Sequence, residues 1–420
     1  MKRALAFLEA SLYAAGVVAN HVVATVTIQG ILKEATLRQA LARLQQRHPL
    51  LCVRIDIDHK GIAYFVAMEP TIPIPIEIHT RQGNDHWKSI FIPACVRSFA
   101  PQMPLMRLIW LQSATVSDLV FICHHTICDG RSVLTLINET LQILAQPTLQ
   151  LDTYDAATPL SCYVPAALQR KLSHRLIRSM LPPVMKVALW VAPFKQETPR
   201  NKPYFLHWKL DAELSALLLY QCKKEGVTIH ALLGVLFLAS FQSLAENRKY
   251  QKLFCSVDMR RFIPQLTPDM LFGFPAMVPI RMSVNLSHSL WQQAKQFHLQ
   301  LQRQLAKIDP YGPLLYTERL QPLVPALTRY AQKDRGKHAF TFSNMGRVAI
   351  QEQYGSFTIE ALHSPACIFP FGNPSTLCVT TFRGQLDLLF TSDENFLPKT
   401  DAEQIKEKVM KLIMQLLMKA

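Results

Sequence analysis

The chain has 420 residues, 49% of them hydrophobic, so it is too long for one ordinary core and can bury two. The formal net charge is +15, but the basic residues form no compact run and no nucleic-acid motif, which argues against nucleic acid as the partner. Nine scattered cysteines without a CxxC pair argue against a disulfide scaffold and favour a reduced, cytoplasmic location.

Residues 1–19 have a basic start and an apolar stretch, as a signal peptide has. Glu9 interrupts the apolar part and a strand pattern follows directly, so we interpret the segment as the start of the fold, with secretion as the alternative. The most apolar helix-like run, Ala231–Phe241, is too short to span a bilayer. The sequence therefore predicts a soluble or peripherally membrane-bound protein.

The first predicted elements form a strand, a helix and a second strand. The strand His21–Ile28 ends at Gly30, and a helix begins at Thr36, a favourable N-cap residue. The helix ends before Arg47-His48-Pro49-Leu50-Leu51, because the residue before a proline disfavours helical backbone. The second strand covers Cys52–Ile57.

The segment His124-His125-Thr126-Ile127-Cys128-Asp129-Gly130 places two histidines, a carboxylate and a glycine at the end of an apolar strand. Asp118–Cys123 predicts a buried strand, and Arg131–Ala145 has the apolar spacing of a helix. Successive strand residues face opposite sides of a sheet, so one histidine points into a given cavity and the other supports it. The glycine permits a sharp turn, which lets the carboxylate fold back on the loop.

This His-His-x-x-x-Asp-Gly pattern is similar to the signature of the superfamily that includes chloramphenicol acetyltransferase, the condensation domains of non-ribosomal peptide synthetases, the plant BAHD acyltransferases and the polyketide-associated acyltransferases. The resemblance implies that His125 is the general base, beside His124 and Gly130 of the same motif. It implies that Asp129 is mainly architectural and pairs with an arginine from elsewhere in the fold. The implied fold is two similar α/β lobes with mixed sheets and an active-site channel between them.

Three other interpretations of this segment stay open. The histidine pair can be purely structural, as such pairs at strand ends usually are. Cys123, His124, His125 and Cys128 can bind a metal ion, but zinc sites usually add a second ligand pair at short spacing; the sequence has none, so we expect no metal. Cys128 can act as a nucleophile, although it occupies a variable position of the motif.

Residues 151–203 contain seven prolines and predict a crossover linker between two lobes, residues 1–150 and 204–420. Within the linker, basic residues alternate with leucine and isoleucine and predict one short basic amphipathic helix near Ala166–Met180. Such a helix can rest on a membrane or cover a lipid substrate. An ordinary solvated linker is the alternative.

The second half repeats the order of strands and helices without repeating the sequence, which favours two similar lobes over a solenoid. The predicted helices are Asp211–Glu225, His230–Glu246, Ser287–Ile308 and Asp401–Met418. The predicted strands are Tyr204–Leu210, Leu253–Met259, Ala339–Ser343, Phe357–Leu362, Thr376–Phe382 and Gln385–Thr391.

One segment of the second half supplies the expected arginine. Ser256-Val257-Asp258-Met259-Arg260 is similar to the strand end of the superfamily whose arginine pairs with the motif aspartate. Arg260 is therefore the expected partner of Asp129, because a buried carboxylate needs such a partner to stay ionised without a heavy desolvation cost. A solvated strand end is the alternative.

A second segment, Thr341–Val348, contains Ser-Asn-x-Gly, which is similar to a segment that lines the cavity opposite the histidine in related acyltransferases. Ser343 or Asn344 is expected to donate a hydrogen bond to a developing oxyanion, with a plain β-turn as the alternative. The Asp-Phe-Gly-Trp-Gly motif of the plant enzymes is absent, since Pro370-Phe371-Gly372 lacks its aspartate and tryptophan. This favours the bacterial lipid or natural-product branch.

The resemblance implies an acyltransferase that moves an acyl group from a thioester to a hydroxyl or amine of a lipid, polyketide or peptide product. The donor is acyl-CoA or a phosphopantetheinyl acyl carrier protein, a co-substrate rather than a cofactor. An acidic carrier protein, coenzyme A and an anionic membrane surface all suit the positive charge, as does a generally basic surface without a specific partner. The competing function is a non-catalytic, condensation-like module that docks carrier proteins.

Overall fold

The computed structural model describes residues 2–16, 19–155, 160–192, 197–244, 250–273, 275–333 and 335–418, without the side chains at 15, 172–175, 178 and 316–319. The first half of the chain contains β1 (Lys2–Ala4), α1 (Phe7–Tyr13), β2 (His21–Gln29), α2 (Glu34–Arg47), β3 (Val53–Ile57), β4 (Ala63–Ala67), β5 (Ile76–Thr80), α3 (His86–Val96), β6 (Met106–Gln112), β7 (Val116–His124) and α4 (Gly130–Ala145). The linker contains α5 (Ala166–Arg170) and α6 (Leu172–Val191).

The second half alternates strands and helices in the same way. Its elements are β8 (Pro203–Leu210), α7 (Ala212–Lys224), α8 (Ile229–Ser243), β9 (Lys252–Val257), β10 (Ala276–Arg281), α9 (Leu290–Leu305), α10 (Gly312–Leu320), α11 (Val324–Lys333), β11 (Thr341–Arg347), β12 (Gln353–Tyr354), β13 (Phe357–Leu362), β14 (Thr376–Phe382), β15 (Gln385–Asp393) and α12 (Lys399–Met418).

Two six-stranded mixed sheets form the two lobes. The strand order of the first is β12-β13-β2-β7-β6-β5, and that of the second is β10-β9-β11-β14-β15-β8. A three-stranded sheet, β1-β4-β3, includes the N-terminal strand, and the buried Arg3 and Glu9 side chains pair at 2.8 Å beside it. The segment that resembles a signal peptide thus contributes a paired strand and a helix to this fold.

The first sheet shows how strand periodicity positions the site. Alternate β2 residues, Val22, Ala24, Val26 and Ile28, pack in one core with the apolar faces of α2 and α4. Val23 faces the other way and packs with Trp87 of α3 and with Leu389 of the second sheet. The first core builds the lobe, and the second core joins the two lobes.

A segment from the second half of the chain belongs to the first sheet. β12 and β13 come late in the sequence, yet β13 pairs with β2 of the first sheet. The other four strands of the first sheet all precede β8 in the chain. This crossover places the segment that follows β13 against both lobes.

Most predicted elements lie within two or three residues of their observed bounds, but two helices differ in an informative way. α2 begins at Glu34 with Lys33 as the N-cap, while the Thr36 hydroxyl donates to the Lys33 carbonyl from inside the first turn. The predicted amphipathic helix is broken after Arg170, and α6 then continues through two prolines to Val191. α6 packs against α10 and α11, so tertiary contacts outweigh the local cost of proline.

Among the described helices, none combines the length and apolar composition that crossing a membrane requires. α7 and α8 reach that composition only as a pair, and they are bent by 103° relative to each other. α8 is nearly all apolar because it is buried in the second lobe.

Candidate active site

The motif forms the loop that connects the end of β7 to the start of α4. The backbone N–H of His125 donates to the carbonyl of Asn20 at 2.8 Å. The Thr126 hydroxyl donates to the carbonyl of Glu9 at 3.0 Å. The N-terminal segment of the chain thus fixes one side of the loop.

Asp129 is the N-cap residue of α4. Its Oδ1 accepts hydrogen bonds from the backbone N–H and the hydroxyl of Ser132, both at 2.8 Å. Such a cap satisfies one of the free N–H groups of the first helical turn. The carboxylate therefore folds back under the loop.

Arg260 reaches the same carboxylate from the second lobe. Its Nη1 lies 2.7 Å from Oδ2 of Asp129, and its Nη2 lies 3.3 Å from Oδ1. The guanidinium also donates to the carbonyls of Met270 and Phe272. The structure thus brings together, across the junction of the lobes, the two residues that the resemblance pairs.

The two charges stabilise each other in a buried setting. Burial disfavours the carboxylate form of Asp129, but the charge and hydrogen bonds of Arg260 outweigh that effect, and the pKa of Asp129 lies below its ordinary value. Burial also opposes the charge of Arg260, yet the neighbouring carboxylates raise the pKa of its guanidinium. Both groups are therefore ionised at neutral pH.

His125 lies at the same junction and is only half-buried. Its Nδ1 is buried, and within the described part of the chain no well-aligned hydrogen bond reaches this nitrogen. Burial lowers the pKa of His125, although the Asp129 charge and nearby backbone groups oppose the shift. A neutral imidazole at neutral pH follows, which is the form that can accept a proton.

His124 is placed differently. It is 5% exposed, and its Nδ1 accepts a hydrogen bond from the backbone N–H of Thr126 at 3.2 Å. The rings of Tyr13, His21 and Phe99 surround it. Burial, followed by the two neighbouring histidines, lowers the pKa of His124 well below its ordinary value. This residue supports the loop as a neutral, packed ring.

Cys128 is fully buried, and burial raises the pKa of its thiol well above the ordinary value. A thiol that resists ionisation is a poor nucleophile. Cys123, His124, His125 and Cys128 do not converge as a set of metal ligands within the described residues. The geometry of the loop therefore favours neither of these two alternatives.

Two glycines permit close packing around the loop. A Cβ on Gly273 would lie 2.6 Å from the carbonyl oxygen of His125 and 2.8 Å from that of Thr126. A Cβ on Gly130 would lie 2.7 Å from the Met345 sulfur. Two parts of the second lobe therefore pack closely against the motif loop, Gly273 on one side and Met345 of β11 on the other.

Ser343 and Asn344 lie on β11, and both are half-buried. The side-chain carbonyl of Asn344 accepts from the Gly346 N–H at 2.8 Å and so stabilises a bulge in the strand. The Ser343 hydroxyl makes no hydrogen bond to any of the residues the structure describes, and neither side chain bonds to His125. Asn344 thus has a turn-forming role through its carbonyl oxygen. Among the described residues, neither its amide NH2 group nor the Ser343 hydroxyl is engaged as a donor.

A small cavity of about 50 Å³ lies next to the motif. Its lining includes Arg3, Glu9, Thr126, Tyr154, Phe272 and Gly273. That volume holds a few water molecules and is far below the roughly 300–1,000 Å³ of a typical small-molecule pocket.

A further polar cluster joins the lobes, and sequence reasoning missed it. His207 of β8 lies 2.7 Å from Oδ2 of Asp387 on β15, and Nδ1 of His363 lies 3.6 Å from the same oxygen. The His363 ring stacks on Trp87 of α3 at 4.0 Å. The ammonium group of Lys209, 3.7 Å from Oδ2, supplies the positive charge that a cation would otherwise bring. No local pattern signals this cluster, since its members lie on separate strands and loops.

Solved structures match this fold along almost the whole chain. The trichothecene 15-O-acetyltransferase of Fusarium sporotrichioides has a TM-score of 0.72 at 11% identity, over 98% of this chain and 95% of its own. Polyketide synthase associated protein 5 of Mycobacterium tuberculosis has a TM-score of 0.68 at 12% identity, over 99% and 100% of the two chains. The first condensation domain of the calcium-dependent antibiotic synthetase has a TM-score of 0.72 at 12% identity, over 99% and 96%.

No protein-family model and no curated protein matches the sequence. The structural matches show that the chain has the two-lobed fold of the CoA-dependent acyltransferases and condensation domains, and this expectation is confirmed. One fold can carry several reactions, so function depends on the residues of the site.

Proposed function

We propose that this chain is an acyltransferase that moves an acyl group from a thioester donor to a hydroxyl or amine acceptor, with His125 as the general base. The observation that carries the proposal is a neutral, half-buried imidazole at the junction of two lobes. A general base near neutral pH needs this protonation state.

The reaction forms one bond and breaks another. The acceptor oxygen or nitrogen attacks the thioester carbonyl while His125 takes its proton, a C–O or C–N bond forms, and the C–S bond breaks. The proton then passes to the departing thiolate, which leaves as the free thiol. No covalent intermediate with the protein is required, because holding both substrates at the junction supplies proximity.

Other residues position this base. The ion pair of Asp129 and Arg260 ties the loop to the second lobe, and the packed ring of His124 fixes the end of β7. The free hydroxyl of Ser343 is the proposed donor to the oxyanion that develops on the carbonyl. The amide NH2 group of Asn344 is the alternative donor, because the turn uses only its carbonyl oxygen.

The proposed donor is acyl-CoA or an acidic acyl carrier protein, since both are polyanionic and the chain carries a net charge of +15. The proposed acceptor is an alcohol or amine of a lipid, polyketide or peptide. All nine cysteines are free thiols, which suits a cytoplasmic location.

The test is release of free thiol from acyl-CoA and acyl-carrier donors in the presence of a panel of alcohols and amines. His125→Ala should lower transfer by at least about a hundredfold, in line with the usual contribution of a general base, and the protein should stay folded. His59→Ala, at an exposed position, is the matched control and should keep full activity.

Near-normal turnover of the His125→Ala protein would remove this residue from the role of base. Carrier-protein binding by the wild-type chain without turnover of any donor would instead support the docking-module function.

A further inference from the structure

α6 exposes a continuous apolar surface. Seven large apolar side chains on this helix are 45–85% exposed, with Trp190 at 85% and Val191 at 63%. They are Leu176, Ile177, Met180, Val184, Val187, Trp190 and Val191. In a helix on the surface of a water-soluble protein, these outward positions are normally polar.

The seven positions lie on one side of the helix. At 3.6 residues per turn they fall within an arc of about 140°. The half-buried residues Leu181, Met185 and Leu189 occupy the opposite side, and α6 packs against α10 and α11. Packing inside the protein therefore accounts for one apolar face of α6, and the second apolar face is left toward the outside.

The charge around this face has one sign. Residues 160–192 contain five lysines and arginines and no aspartate or glutamate. Arg170, Lys171 and Lys186 are exposed beside the apolar face. A helix that combines an apolar face, basic flanks and a tryptophan near its end has the composition of helices that lie in a membrane interface.

We propose that α6 is an interfacial helix that seats this protein on an anionic lipid bilayer. The helix has 20 residues and is about 30 Å long, so it lies along the membrane plane with Val184, Val187 and Trp190 inserted among the lipids. Arg170, Lys171 and Lys186 then face the lipid phosphates. The proposal concerns binding alone and does not depend on acyl transfer.

Charge selects the membrane over a second copy of the chain as the occupant of this face. Two copies that met through α6 would bring basic segments together, and each copy carries a net charge of +15. An anionic bilayer supplies both the opposite charge and the apolar phase. Each basic residue near such a surface adds to the attraction.

The experiment is co-sedimentation of the full chain with vesicles of phosphatidylcholine alone and of phosphatidylcholine with about one-third phosphatidylglycerol. We expect the protein to pellet with the anionic vesicles and to stay largely in solution with the neutral ones. The double variant Val187→Glu/Trp190→Glu should lower the partition constant on anionic vesicles by at least about tenfold.

The matched control is Ile31→Glu/Leu299→Glu, which makes the same charge change at two exposed apolar residues away from α6. This control should lower partitioning by less than about threefold, since only the general attraction to the anionic surface weakens. All four positions are exposed, so thermal unfolding should show that both variants remain folded.

Three results would overturn the proposal. They are a wild-type chain that stays in solution with every vesicle, equal losses for the two double variants, and a wild-type dimer that the α6 variant dissociates while vesicles bind neither form. The last result would assign the face to a second copy. Failure here leaves the thiol-release assay unaffected, so the two proposals fail separately.

Discussion

Asp129 and Arg260 face each other in a site from which water is largely excluded, with side chains 12% and 3% exposed. Within the described residues no hydrogen bond joins either side chain to the His125 imidazole, which makes them positioning residues. A buried ion pair adds little net stability compared with well-packed apolar residues at the same positions. The loss of one partner, however, leaves an uncompensated buried charge. The pair therefore fixes the shape of the loop. The losses of unfolding free energy caused by removing either partner should be strongly non-additive.

Asp129→Ala and Arg260→Ala should each lower the free energy of unfolding by about 3–5 kcal/mol, because each leaves a buried charge without its partner. The double variant should lose much less than the sum, because it removes both charges. Urea unfolding of the four proteins measures the coupling. Arg54→Ala, in a more exposed pair with Asp56, is the control and should cost less than about 1 kcal/mol.

A double variant that loses the sum of the two single losses would show that the pair is not coupled. Activity should fall in both single variants together with stability.

At the scale of elements, the motif loop is shaped by a segment far away in sequence. Residue 273 follows the strand end that carries Arg260, and a side chain there would collide with two backbone carbonyls of the motif. Backbone atoms cannot move aside as a flexible side chain can. The close approach of these two loops is thus a condition for the position of His125.

Gly273→Ala should displace the motif loop and cost about 1–3 kcal/mol of stability, as overpacking usually does, with a parallel loss of thiol release. Gly130→Ala is the matched comparison, because its new methyl group would meet the end of the flexible Met345 side chain. The smaller loss of stability should therefore belong to Gly130→Ala. Equal denaturation midpoints for Gly273→Ala and the wild type would contradict the proposed contact.

At the scale of the whole molecule, five of the described histidines, buried or half-buried, lie in environments that disfavour their charge. Burial lowers the pKa of His21 and His230 to about 4. It also lowers the pKa values of His124, His125 and His363. The unfolded chain protonates these side chains near pH 6.5, while the folded chain resists protonation.

Stability should therefore fall as the pH decreases from about 6.5 toward 4, by up to roughly 1.4 kcal/mol per pH unit for each histidine. Asp129 has a lowered pKa, so its contribution is lost only below its ordinary value of 3.8, outside this window. Thermal unfolding between pH 7.5 and pH 4.5 measures the slope. A midpoint that stays constant or rises over this interval would contradict the argument.

The net charge of +15 should serve the thioester donor more than the acceptor. The apparent affinity for acyl-CoA should weaken as salt rises from about 0.05 to 0.5 M, because the screening length shrinks over that range. A neutral alcohol acceptor should be affected much less. KM values for both substrates across the salt series test this, and equal sensitivity would show that the charge has another role.

Several features could be predicted from the sequence because they depend on neighbours along the chain. The apolar run of β7, the helix spacing of α4 and the fold-back of the Asp129 carboxylate on its loop are all local, and β13 and β14 have their predicted bounds. The resemblance carried by short motifs also pairs Asp129 with Arg260, and the two side chains lie 2.7 Å apart. The resemblance named His125 as the base, whereas strand periodicity left open which histidine faces the junction.

Only the tertiary structure decided that question, since strand periodicity alternates the two histidines without saying what covers each face. His124 is packed because Tyr13 of α1 and Phe99, in the segment after α3, place aromatic rings around it, and His125 is left at the junction of the lobes. The gathering of His207, His363 and Asp387, the crossover of β13 and the outward apolar face of α6 likewise depend on elements distant in sequence. Local propensity fixes which residues share a strand or a helix face, but long-range packing determines what each face meets.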